Sequence, residues 1–91
     1  MFKINGEEWS VIIVAPNDEH LQYPNGEYTI GACDDTLRTI FVSSGLSVVF
    51  LKKVLCHEIT HAALFSYNIE LDIEQEELFA DLIATYGNKI I

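Results

Sequence analysis

The sequence predicts an α+β fold: a small antiparallel or mixed β-sheet packed on two helices, with residues 1–91 forming one domain. Three observations carry this expectation. Short runs of β-branched and aromatic residues, separated by Asn, Gly and Pro turn signals, fill the first half of the chain. Apolar residues spaced by three and four dominate from residue 48 onward. The two patterns do not alternate, so sheet and helices should segregate into layers.

Taken in order, Phe2, Lys3 and Ile4 make a first strand, and Asn5-Gly6 supplies the positive dihedral angles of a two-residue hairpin turn. A second strand runs to Val14, and its last four residues, 11–14, read as buried on both faces. Pro16, Asn17 and Asp18 end it, and a helical turn or irregular loop follows over residues 18–23. After the Pro24-Asn25-Gly26 turn, residues 28–30 and 39–42 read as two further strands, with a polar turn between them that contains Cys33. Ser47 is the expected N-cap of a helix over residues 48–65. Asp72 is the expected N-cap of a second helix, which Gly87-Asn88 should terminate.

The first helix carries His57-Glu58-Ile59-Thr60-His61, an H-E-x-x-H motif. Residues four apart on a helix lie one turn apart on the same face, so the two imidazoles can share one metal ion. Phe50, Val54, His57, His61 and Leu64 form one stripe, which places both histidines toward the interior. Zinc favours such nitrogen ligands, and its catalytic sites use three protein ligands and a water. Glu58, adjacent to the first ligand, is the expected general base. The expectation is one Zn2+ per chain.

The third ligand should come from the second helix. Glu74 and Glu76 read as acids of a solvated helix start, with Glu76 pointing to solvent. Glu77 and Asp81 are four apart and share a face with small neighbours, Ala80 and Ala84, that would let another helix approach closely. An interior-facing acid pair is costly unless paired or metal-bound. Glu77 is therefore the expected ligand, with Glu74 next, and Asp81 the acid that orients a ligand imidazole. Leu78, Phe79, Leu82 and Ile83 are expected to supply apolar packing.

With these residues in place the chain resembles the gluzincins: H-E-x-x-H, then a helix carrying Glu77-Leu78-Phe79-Ala80-Asp81. The Phe79-Ala80 pair beside the acid further resembles the ImmA/IrrE-type metallopeptidases of phages and mobile elements. The resemblance covers residues 39–86. It implies His57, His61 and Glu77 as ligands, Glu58 as base and Asp81 as orienting acid. It also implies an edge strand beside the active helix for extended substrate, for which residues 39–42 are the candidate. The chain departs from larger gluzincins in lacking a separate C-terminal domain and a recognisable distal His or Tyr for the oxyanion. By residue type alone, His20, Tyr23, Tyr67 and Tyr86 are the side chains available for that task.

Composition narrows the function. A formal net charge of −9 argues against nucleic acid and anionic membranes as partners. No secretory segment is recognisable, and the apolar run at residues 46–55 is broken by Lys52 and Lys53, so a cytoplasmic location is expected. Cys33 and Cys56 do not have the spacing of a thiolate zinc site, and Cys56 reads as a small core residue. The leading expectation is a zinc metallopeptidase acting on a peptide or protein, with room for a regulatory protein partner. The alternatives are a zincin-scaffold binding protein that docks without catalysis, and a zinc hydrolase of non-peptide amides or esters.

Overall fold

In a computed structural model of the chain, the backbone is described for residues 1–90 and the side chains for residues 1–85. Four strands, β1 (Phe2–Ile4), β2 (Glu7–Val14), β3 (Gly31–Asp34) and β4 (Thr39–Ser43), form one mixed sheet in the order β1-β2-β4-β3. Two helices follow, α1 (Val48–Ser66) and α2 (Ile73–Ile90). The fold is α+β, as the segregated patterns require.

The β1–β2 hairpin turns on Asn5 and Gly6, whose φ angles of 49° and 78° are both positive, as a tight two-residue turn demands. Trp9 is fully buried, and its indole N–H donates to Ser66 Oγ at 3.0 Å. The Asn5 side-chain amide donates to the Ser66 carbonyl, also at 3.0 Å. The hairpin is thus fastened to the far end of α1. β2 and β4 run parallel, from Ser10↔Thr39 to Val14↔Ser43, while β3 and β4 are antiparallel.

All five residues of β4 are buried, because β2 and β3 flank it and α1 covers it. Ile40 and Val42 join Trp9, Val54 and Ala62 in the core. On the opposite face, a short 3-10 helix (Glu19–Leu21), capped by Asp18, lays the His20 ring on Phe41 with centroids 4.1 Å apart.

The helix caps explain the register of the site. Ser47 accepts from Phe50 N, starting α1 where the sequence places it. Asn68 ends it with φ 56°, and the bonds Asn68 N to Phe65 O and Ile69 N to Leu64 O close the last turn. Asp72 and Gln75 exchange side-chain to backbone bonds at 2.8 and 3.3 Å, a capping box that fixes where α2 begins. No helix among the described residues is long and apolar enough to cross a membrane.

Five expectations are corrected. The strand expected at residues 28–30 begins instead at Gly31, because Tyr23 N and Thr29 N are bonded to Glu27 O and Leu21 O across the preceding loop. Cys33 therefore lies in a strand and not in a turn. Residues 11–13 are not buried on both faces: Val11, Ile12 and Ile13 are 39, 45 and 60 % exposed, since β1 stops short of them. The α2 residues Leu78, Phe79, Leu82 and Ile83 are exposed; α2 lies on α1 through Ala80 and Ala84, and among the described residues no further layer covers its other faces. Lastly, α2 runs through Gly87-Asn88 instead of ending there.

Candidate metal centre

His57 and His61 project from α1 one turn apart, and their Nε2 atoms are 3.1 Å apart. The Glu77 carboxylate, from α2, faces both: its Oε2 is 3.4 Å from His57 Nε2 and its Oε1 is 3.2 Å from His61 Nε2. These three residues form a group whose ligand atoms lie within 4.8 Å of one another and can hold a metal ion. Glu77, the expected third ligand, is the α2 acid that faces the Nε2 atoms of both histidines. Glu74 is exposed and is not among the residues lining the cleft at this site.

The other nitrogen of each ring is also engaged. His57 Nδ1 lies 3.0 Å from Asp81 Oδ1, and His61 Nδ1 lies 2.6 Å from Glu76 Oε2. A carboxylate at Nδ1 holds the ring proton there and leaves the Nε2 lone pair directed at the shared point. The Glu77–Asp81 pair is not interior-facing as expected, the two side chains being 53 and 69 % exposed, but Asp81 stands behind a ligand imidazole where the sequence reading places it. Glu76 does not: it is half-buried against His61 instead of solvated. The two helices run antiparallel, so one turn up α1, from His57 to His61, corresponds to one turn back along α2, from Asp81 to Glu77 and Glu76. That step carries the signal for Glu76, and single-helix periodicity misses it.

Glu58 is 8 % exposed and points to the sheet side of α1. Gly31 of β3 lies directly over it: a Cβ there would stand 2.7 Å from Val54 Cγ1 and 3.2 Å from Glu58 Cγ. Burial pushes the Glu58 carboxyl above its usual range; His61 and His57 oppose that rise and Glu77 adds to it. A carboxyl raised by desolvation beside two imidazoles suits a group that accepts and then releases a proton.

These residues open onto a cleft of about 970 Å³, bounded by α1, the first turns of α2 and β3. Phe50, Phe65, Ile69 and Leu71 give it apolar walls. The strand at its rim is β3 and not residues 39–42, which form the interior strand β4 and have no free edge. Cys33 also lines the cleft; burial raises its thiol well above the ordinary range, and Asp35 beside it adds to the effect. Cys56, expected as a small core residue, is half-buried and lies outside the core cluster.

Of the described side chains considered for an oxyanion, Tyr23 alone lines the cleft. His20 stacks on Phe41 and bonds Asp18 on the opposite face of the sheet. Tyr67 is the exposed C-cap residue of α1, and the Tyr86 side chain lies outside the described residues. No family model matches the chain, and no curated protein or solved structure matches it either.

Proposed function

We propose that the protein is a minimal zinc metallopeptidase of the gluzincin type, similar to the ImmA/IrrE-type enzymes of phages. One observation carries the reading: two imidazole Nε2 atoms and a carboxylate converge, while Asp81 and Glu76 hold the opposite ring nitrogens. The separations of 3.1, 3.2 and 3.4 Å suit a small ion with ligands at about 2 Å, zinc among them. A tetrahedral ion with ligands at about 2.0–2.1 Å has ligand–ligand edges of about 3.3–3.4 Å. His57, His61 and Glu77 would hold the ion at the wall of the cleft.

Zinc, when bound, supplies a Lewis acid that polarises a carbonyl and acidifies water. Glu58 accepts the proton of the attacking water and returns it to the departing amine nitrogen. Asp81 and Glu76 keep the two rings in one tautomer and orientation. Extended peptide substrate runs along the outer edge of β3, whose unpaired amides and carbonyls suit a peptide backbone. Tyr23, at the cleft wall, is the candidate donor to the oxyanion. A cytoplasmic setting, which keeps Cys33 and Cys56 as thiols, agrees with this reading.

The test pairs zinc titration with mass-spectrometric mapping of cleavage in a peptide library. Glu58→Gln should keep zinc and lose hydrolysis by about 10²–10⁴-fold, the worth of a general base. Cleavage at the wild-type rate by that variant would refute the mechanism. Zinc binding with no cleavage by either protein would instead favour a docking role for the same scaffold.

A further inference from the structure

We propose that the protein forms a twofold dimer by antiparallel pairing of β2 with β2 of a second copy, centred on Ile12. The proposal is independent of the metal site. β1 covers β2 only as far as Phe2↔Trp9, and among the described residues no strand pairs with the outer edge of residues 10–14. Ser10 N donates to Arg38 O and Val14 O accepts from Ser44 N, both on the β4 side. In a parallel ladder alternate residues bond to one neighbour, so Ser10, Ile12 and Val14 face β4. The N–H and C=O groups of Val11 and Ile13 then point outward.

An antiparallel copy meets these groups in a single register. Val11 opposite Ile13, and Ile13 opposite Val11, makes two bonded pairs with Ile12 facing Ile12 across the axis. Sliding the copy toward Trp9 runs into β1, which already occupies that edge. Sliding it the other way needs Ala15, whose carbonyl already accepts from Asp18 N. The window is therefore closed at both ends, and twofold pairing consumes it without leaving a growing edge.

Side chains agree with the backbone. Val11 and Ile13 are registered with Ile40 and Val42, so they lie on the helix-covered face, yet they are 39 and 60 % exposed. Ile12 lies on the other face and is 45 % exposed. Paired in the stated register, all three gain apolar cross-strand neighbours. Residues 9–17 hold no charged side chain in a chain of net charge −9, so the repulsion between copies originates elsewhere on the molecule. An open, uncharged, β-branched edge with no Lys or Pro from residue 10 to residue 15 is otherwise a liability.

Sedimentation equilibrium across the micromolar to submillimolar range should give twice the monomer mass of 10.3 kDa, with association tightening as salt rises. Ile12→Lys and, separately, Ile13→Lys should return the protein to monomer while leaving its circular dichroism unchanged. Ile12→Cys should become disulfide-linked across the axis under mild oxidation, because facing non-bonded residues stand about 4.5 Å apart at Cα, within disulfide reach. Val49→Cys, on exposed α1, should not. A wild-type monomer at every concentration would overturn the proposal, as would a dimer that survives both lysine variants or fails to cross-link through position 12.

Discussion

Glu77 is the side chain on which the candidate centre turns. Among the described residues it alone faces both His57 Nε2 and His61 Nε2, so Glu77→Ala should weaken zinc binding far more than Asp81→Ala, Glu76→Ala or Glu74→Ala. Asp81→Ala and Glu76→Ala should each weaken it by about 10–100-fold, the usual effect of removing the acid behind a ligand imidazole. Glu74→Ala should leave it unchanged, since that side chain is exposed and away from the cleft. Competitive zinc titration of the four variants reads this order directly; a Glu74→Ala variant as damaged as Glu77→Ala would overturn the assignment. At this scale the sequence was informative where chemistry and helix period coincide. H-E-x-x-H puts two nitrogens and a base on known faces of one helix. Glu76 escaped because its role depends on how α2 crosses α1, which no single-helix pattern contains.

Between elements, β3 packs tightly on α1 at Gly31. Gly31→Ala would press a methyl group on Val54 and Glu58, so the helix or the strand must shift. Overpacking of this kind costs about 1–3 kcal/mol, and here it should also displace the base. Chemical denaturation should show the loss of stability, and cleavage should fall more than zinc affinity does. A Gly31→Ala protein with wild-type stability and activity would contradict the packing. Asp72→Ala opens the capping box and should cost about 1 kcal/mol, with a modest fall in zinc affinity because Glu76 and Glu77 lie in the first turns of α2. The caps at Ser47 and Asp72 and the Asn5-Gly6 turn were all legible, because each is decided by a few adjacent residues. Strand order was not. Residues 39–42 look like any apolar strand, and only the parallel pairing with β2 makes them interior and leaves β3 as the edge. The exposure of Val11, Ile12 and Ile13 was hidden for the same reason: an apolar run signals burial, but the short β1 leaves this one uncovered.

For the whole molecule, the metal and the fold should be coupled. The core is small, and α2 is held to α1 mainly by two alanines and by carboxylates gathered round two imidazoles. Those carboxylates repel one another in a chain of net charge −9, and a divalent cation among them offsets that repulsion. Free zinc at a thousandfold excess over Kd stabilises by about 4 kcal/mol, which for a domain of this size is a rise in Tm of about 15–30 °C. Chelation should reverse the rise, with α2 the first element to lose protection from hydrogen exchange; a Tm indifferent to zinc would separate fold from metal. The measurement that tests the central claim most directly is the zinc content of the purified, reconstituted chain beside that of a His57→Ala/His61→Ala variant. The account predicts one zinc per chain for the first and none for the second. A chain that takes up no zinc with both histidines intact, or a double variant that binds as much as the wild type, would contradict it.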